Sequence, residues 1–299
     1  MSPTSSVPTF SDPVFKHVQH MQHMHQHMHQ HMHQHMHQHM QHMQMQHPLL
    51  TDGLLRSALA SKVAYAKTCT VARRLPSTTR LHGDDPGCLI IDNERNGAHV
   101  YAWDSGPHST LVAFRGSHNC RAVSRFLDAR TAELRMCDAA VRVHGGTFAL
   151  FESLEADLTR IVFPDPVTQN AVRERNVTFC GHSAGGGVAM LAAAYYGALT
   201  GTNMHVRCHT FGCPRVGDPA FVDWFAKNVN ECVSVLHRSD QLARHAPMFG
   251  YRYANNPCEL LIEGKTRSPL TAHNLDTYIE RIGAMLKSGS LPRVHKRAS

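Results

Sequence analysis

The chain has 299 residues, which is enough for one large domain or two small ones and excludes a disulfide-stapled minidomain. Its 42% hydrophobic and 18% charged content is that of a globular protein. The net charge of +7 is local, because the last nineteen residues carry five basic residues and no acid. The rest of the chain is close to neutral, so its composition does not indicate a nucleic-acid-binding face.

A tract rich in His, Met and Gln occupies the beginning of the chain. Thirteen of the 25 histidines and eight of the 14 methionines lie between His17 and His47. Imidazoles at this spacing could chelate divalent metals. The tract also has too little aliphatic and aromatic surface to offset the entropy of ordering, which favours a disordered extension without a metal site. We therefore predict an extension (1–48), a folded domain (49–286) and a basic tail (287–299).

Cysteine usage and the apolar stretches bear on the compartment. Nine cysteines form no CxxC pair, so neither zinc nor thioredoxin-like spacing is present. The first residues, MSPTSSVPTFSDP, lack the positively charged and then apolar regions of a secretory signal. The longest nearly apolar stretch, Val188 to Leu199, is too short to span a bilayer. We expect a soluble protein and favour the cytoplasm over secretion.

From residue 49 onward, β-branched and apolar runs alternate with helical patterns. The strand-like runs are 87–92, 98–103, 110–114, 176–180, 205–211, 232–236 and 260–264. The helical patterns are 54–66, 147–162, a stretch from about 184, one through 221–225 and one through 275–282. This alternation predicts an α/β domain with a mostly parallel central sheet flanked by helices, in which residues 98–114 could be an antiparallel start.

The sharpest local motif is GHSAG at residues 181–185, which has the pattern G-x-S-x-G. It follows the strand-like NVTFC and opens a helical pattern. A nucleophile elbow requires this order of strand, turn and helix, because the turn lifts the serine Oγ clear of the sheet. Ser183 is therefore the predicted nucleophile.

A serine nucleophile needs a histidine base and a carboxylate that orients the base. Asp240 follows a strand-like run, at the end where ligands collect in open α/β sheets, and Asp218 is the next candidate. His273 lies in a predicted loop just before a helix and is the expected base. His245 is only five residues past Asp240, and His295 lies in the basic tail.

The oxyanion of an acyl-transfer intermediate needs two or more fixed hydrogen-bond donors. One should be the backbone N–H of Ala184, which follows the nucleophile. Ser117 could supply a second donor through its N–H and hydroxyl, although its turn could equally be an ordinary strand end. His182 is expected to point away from the substrate and to be a packing residue.

Six segments resemble, in order, the class 3 lipases, the fungal-lipase-like α/β-hydrolases. They are AFRGS (113–117), VHGGTFALFESL (143–154), VTFCGHSAGG (177–186), TFGCPRVGDPAF (210–221), VLHRSDQLARHAP (235–247) and AHNLDTYIE (272–280). The resemblance covers about residues 50–285. It implies the α/β-hydrolase fold and a serine acyl hydrolase that acts on glycerolipid esters without a cofactor.

For the site, the resemblance implies that Ser183, Asp240 and His273 form a catalytic triad. It likewise implies that Ser117 and Ala184 form the oxyanion hole. The expected partner is a lipid ester, met at a membrane or droplet surface, with no nucleic acid. Phospholipase A1-type activity is the alternative reaction, and a catalytically silent scaffold whose tract binds metal or a partner is the alternative function.

Three departures from the family pattern qualify these expectations. Ala184 stands where the family usually has leucine, and Gln241-Leu242-Ala243 follows the acid in place of x-Val-Pro. The family also implies a short lid at about residues 118–127. Because this segment has few apolar residues beside two arginines, we expect weak interfacial activation.

Overall fold

The computed structural model describes the chain in separate stretches. These are residues 52–65, 79–80, 88–93, 97–106, 108–117, 130–134, 141–163, 175–200, 204–245, 258–266, 268–289 and 293–295. The predicted extension and the predicted lid lie outside the described residues. The predicted boundary at 48–49 therefore stays a prediction, as does the one at 286–287, which falls inside the helix Leu275–Ser288.

Nine of the described strands form one sheet in the order β1-β2-β3-β4-β7-β8-β9-β10-β11. Their bounds are β1 Thr79–Arg80, β2 Cys88–Asn93, β3 Ala98–Gly106, β4 Ser109–Phe114, β7 Arg175–His182, β8 Met204–Phe211, β9 Glu231–His237, β10 Cys258–Ile262 and β11 Arg293–His295. Two further strands, β5 (Thr131–Leu134) and β6 (Val141–His144), pair with each other.

The sheet is parallel in its centre and antiparallel at both edges. Strands β4, β7, β8, β9 and β10 run parallel, whereas β1 to β4 pair in antiparallel fashion and β11 is antiparallel to β10. The β3–β4 hairpin closes where Gly106 pairs with Ser109. The predicted mostly parallel sheet with an antiparallel start is thus confirmed.

Helices cover both faces of the sheet. They are α1 Asp52–Val63, α2 Gly145–Glu152, α3 Glu155–Val162, α4 Ala184–Thr200, α5 Pro219–Asn228, α6 Gln241–His245, α7 Pro269–His273 and α8 Leu275–Ser288. Side chains alternate across a strand, so Phe179 of β7 packs in the cluster that contains α4, and Cys180 packs against α1. On β8 and β9, Phe211 and Val235 pack with α1 and α8.

The most apolar helix, α4, is buried against the sheet. It has 17 residues, and its run of alanines from Ala192 to Ala194 is fully buried, so helix and sheet approach closely. Among the described helices, none is long and apolar enough to cross a membrane.

The helical pattern at residues 147–162 is two helices rather than one. Helix α2 ends at Glu152, and the next residue bonds back onto it, since the Ser153 N–H donates to the Ala149 carbonyl and its hydroxyl to the Leu150 carbonyl. Leu154, with φ −106° and ψ −14°, departs from the dihedral angles of an ideal helix before α3 begins. Periodicity alone hides this break, because the apolar residues keep a helical spacing across it.

Candidate active site

Ser183 occupies a strained turn between β7 and α4. Its φ of +56° lies in the left-handed region, which is uncommon for a residue with a side chain. The Ser183 N–H donates to the Phe211 carbonyl of the neighbouring strand. A Cβ on Gly185 would lie 2.8 Å from the Arg115 carbonyl carbon, so this approach of helix to strand requires glycine. The predicted elbow geometry is present.

The structure brings Ser183, Asp240 and His273 together at the carboxyl end of the parallel part of the sheet, where Ser183 follows β7, Asp240 follows β9 and His273 ends α7. His273 Nδ1 lies 2.7 Å from Asp240 Oδ2, and His273 Nε2 lies 2.9 Å from Ser183 Oγ. A carboxylate only accepts hydrogen bonds, so Nδ1 carries the proton and Nε2 accepts from the serine hydroxyl. This is the arrangement in which an imidazole can take a proton from an attacking hydroxyl.

The Asp240 carboxylate is fully buried, and both of its oxygens accept hydrogen bonds. Oδ2 accepts from His273 and, at 2.6 Å, from the Tyr278 hydroxyl, while Oδ1 accepts from the Ala243 N–H at 3.0 Å. Burial by itself would raise the pKa of Asp240. The hydrogen bond and charge of His273, together with the Ala243 and Tyr278 hydrogen bonds, outweigh burial and hold this pKa below its ordinary value. Asp240 therefore stays ionised.

The other candidate acid has a structural role. Asp218 caps α5 by accepting from the Phe221 N–H at 2.9 Å, and it also lies near the Arg142 guanidinium. His273 is not in a loop as predicted. It is the last residue of the short helix α7, and the following Asn274 caps α8. His245 ends α6, and His295 ends β11.

The predicted oxyanion donors flank the nucleophile. Ala184 is the first residue of α4 and is buried. Ser117 is partly buried, and a Cβ on the adjacent Gly116 would lie 3.3 Å from Ser183 Cβ. The loop after β4 therefore runs beside the nucleophile, where donors to an oxyanion are needed.

Sequence reasoning missed two aromatic contributions to the site. Tyr278, which fits the apolar pattern of α8, donates to Asp240 and accepts from the His237 N–H at 3.1 Å. His182 is buried as expected, but its ring also bonds to the Tyr65 hydroxyl and to the His273 carbonyl. No local pattern indicates these contacts, because the partners lie far apart in the chain.

The described residues hold no group of three or more His, Cys, Asp or Glu side chains that could bind a metal ion. The four described free cysteines are buried, at positions 180, 208, 213 and 232. The His/Met/Gln tract lies outside the described residues, so its predicted lack of a metal site stays a prediction.

Comparison with known sequences points to one family. Residues 111–250 match the family described as lipase (class 3). A secreted mono- and diacylglycerol lipase 1 of Fusarium solani is 31% identical over 176 residues, which cover 56% of this chain and 49% of the relative. The chain thus spans about half the length of this curated relative.

Comparison with solved structures identifies the fold. The Rhizomucor miehei triacylglyceride lipase superposes with a TM-score of 0.54 at 20% identity, over 71% of this chain and 79% of that one. A triacylglycerol lipase whose catalytic centre is described as a serine protease triad gives a TM-score of 0.53 at 18% identity, over 71% of this chain and 79% of that one. The predicted α/β-hydrolase fold, a mostly parallel sheet flanked by helices, is confirmed.

The same comparisons correct the predicted location. The preference for a cytoplasmic protein is wrong on this comparison, because the curated Fusarium relative is a secreted lipase.

Proposed function

Residues 111–250 match the class 3 lipase family, and from this premise we propose that the protein is a serine acyl hydrolase that cleaves glycerolipid carboxylic esters. The observation that carries the proposal is the position of His273, within hydrogen-bond distance of both Ser183 Oγ and the Asp240 carboxylate. The relatives named above are mono-, di- and triacylglycerol lipases, which are carboxylic ester hydrolases.

In the acylation step, Ser183 Oγ attacks the ester carbonyl carbon while His273 Nε2 takes the hydroxyl proton. The carbonyl oxygen becomes an oxyanion, which accepts hydrogen bonds from the Ala184 N–H and from Ser117. The imidazolium then donates its proton to the departing alcohol oxygen. The acyl group remains bound to Ser183 as an ester.

In the deacylation step, a water molecule repeats the attack on the acyl-serine. His273 takes the proton of the water and returns it to Ser183 Oγ, which releases the fatty acid. The buried Asp240 carboxylate stabilises the imidazolium in both steps and holds its Nδ1–H tautomer.

The test of the nucleophile is covalent labelling by a fluorophosphonate. The wild-type chain should be labelled at one site. Ser183→Ala should take no label, and its rate of ester hydrolysis should be at least about 10³-fold lower. Ser288→Ala, which removes an exposed hydroxyl at the end of α8, should keep both. A folded wild type that takes no label would overturn the proposal in favour of a catalytically silent scaffold.

The substrate class is tested with an ester panel on the same chain. The panel contains mono-, di- and triacylglycerols, a diacyl phospholipid and short soluble esters, each with Ser183→Ala as blank. Hydrolysis of the acylglycerols supports the proposal. Release of fatty acid mainly from the phospholipid would instead support the phospholipase A1-type alternative.

A further inference from the structure

We propose that Tyr65 and His182 are positioning residues, which fix the catalytic histidine relative to the oxyanion loop through a chain of two hydrogen bonds, from Tyr65 to His182 and from His182 to the His273 carbonyl, whose Tyr65 end packs against Gly116 of that loop. We call this chain the Tyr65–His182 bracket. It runs from the Tyr65 hydroxyl, which lies against Gly116, through the His182 ring to the backbone carbonyl of His273. The proposal rests on the proposed function for its consequence, since it assigns roles around the same nucleophile.

The bracket has a single arrangement of donors and acceptors. The His273 carbonyl, 2.7 Å from His182 Nε2, can only accept, so Nε2 carries the proton. Burial, with a smaller contribution from His273, lowers the pKa of His182 to about 3, so its ring is neutral. A neutral ring protonated at Nε2 must accept at Nδ1, and the donor there is the Tyr65 hydroxyl at 2.9 Å.

The other end of the bracket lies at the oxyanion loop. The Tyr65 hydroxyl lies against the backbone of Gly116, the residue before Ser117. Burial raises the pKa of Tyr65, so its hydroxyl keeps the proton that it donates to His182. A Cβ on Gly116 would overlap the Tyr65 hydroxyl and lie 2.5 Å from the His182 carbonyl oxygen. Only glycine at position 116 therefore lets the loop approach Tyr65 and His182 this closely.

The bracket acts on the His273 backbone, whereas Asp240 acts on the His273 side chain. The His182 and His273 rings are also in contact, with centroids 4.9 Å apart and planes tilted by 44°. The carbonyl contact therefore fixes the end of α7, from which the catalytic ring projects toward Ser183. A shift of about 1 Å in such a group can cost about 100-fold in rate, although the group touches no substrate.

The experiment compares Tyr65→Phe, His182→Leu and His182→Gln with the wild-type full-length chain on a soluble short-chain ester. Active sites are counted by the end point of fluorophosphonate labelling. Tyr65→Phe and His182→Leu should lower kcat per labelled site by about 10-fold to 100-fold with KM within about twofold. His182→Gln keeps an N–H near the His273 carbonyl and should recover part of the loss.

A matched control separates positioning from stability. Tyr196→Phe also removes a buried hydroxyl, one that bonds to Thr159 and to the Glu155 carbonyl on α3. It should lower the thermal midpoint without changing kcat per labelled site. If Tyr65→Phe and His182→Leu behave like this control, the bracket is structural only and the proposal fails.

A second readout does not depend on activity. Imidazole nitrogen NMR of the wild type should show His182 protonated at Nε2, with the resonance assigned by its loss in His182→Gln. A wild type that takes no label overturns the proposed function, and the NMR tautomer still tests the bracket. Protonation at Nδ1 would overturn the bracket whatever the activity.

Discussion

Two adjacent histidines show how burial and hydrogen bonding divide roles between identical side chains. His273 keeps part of its ring exposed, with 16% of its side-chain surface accessible, and turns Nε2 toward Ser183. His182 is buried beside it and donates a hydrogen bond from its Nε2–H to a backbone carbonyl. The first arrangement suits proton transfer with a substrate, and the second suits a fixed, neutral contact.

The neutral state of His182 predicts a pH-dependent stability. Its pKa in the folded chain is about 3, below the 6.5 of an ordinary histidine, so between these values the unfolded chain binds a proton that the folded chain does not. Stability should therefore fall as the pH falls through this range, with a contribution of up to about 1.4 kcal/mol per pH unit. His182→Gln should lack that contribution.

The measurement is urea unfolding of both chains at several pH values between about 6.5 and 3. Tyr196→Phe serves as the control, because it removes a hydroxyl with a raised pKa and no group that titrates in this range. Equal slopes of the free energy of unfolding against pH for wild type and His182→Gln would contradict the prediction.

At the scale of elements, helix α1 does more than pack against the core, because it also makes polar contacts to the sheet and leads to a residue of the site. Leu54 and Ala58 pack on β8 and β9, and Tyr65, just past the helix end, reaches the site. Ser57 bonds to His209 Nδ1 of β8 at 2.8 Å, and both residues are at least 96% buried. A polar contact of this kind fixes the helix in one position on the sheet, because any slip leaves buried groups unpaired.

Ser57→Ala tests this contact. The change leaves a buried imidazole nitrogen without its partner, so the free energy of unfolding should fall by about 1–2 kcal/mol. Lys62→Ala on the same helix removes an ion pair with Asp276 in which both side chains are about half exposed, and it should cost no more than about 0.5 kcal/mol. Urea unfolding measures both, and comparable losses would contradict the assignment.

Much of the element order could be predicted from the sequence. The strand at residues 176–180 and the helix that follows were expected, because their apolar periods differ clearly. The break between α2 and α3 could not be predicted from the sequence, because a single turn of irregular backbone keeps the apolar face aligned. The same holds for α7, whose five residues are too few to show a helical period.

At the scale of the whole molecule, the described contacts of the site come from residue 65 and beyond. Ser183 and Asp240 follow strands β7 and β9, and His273 precedes α8. We therefore expect a chain that lacks residues 1–47 to keep kcat/KM on a soluble ester within about twofold of wild type.

The control for this deletion replaces residues 1–47 with a Gly/Ser segment of equal length, which separates chain length from the His and Met side chains. Both chains should label fully with fluorophosphonate. A large loss of activity in both would show that the tract is more than an appendage to the catalytic domain.

The sequence by itself determined the family resemblance, the alternation of strands and helices, and the elbow around Ser183, because each depends on residues that are neighbours in the chain. Only the tertiary structure decided that Asp240 rather than Asp218 reaches His273, and that Tyr278 and His182 support the same site. These contacts join residues 33 to 91 positions apart. They form because strand pairing brings distant parts of the chain together, and the spacing of residues in the sequence does not show which side chains will meet.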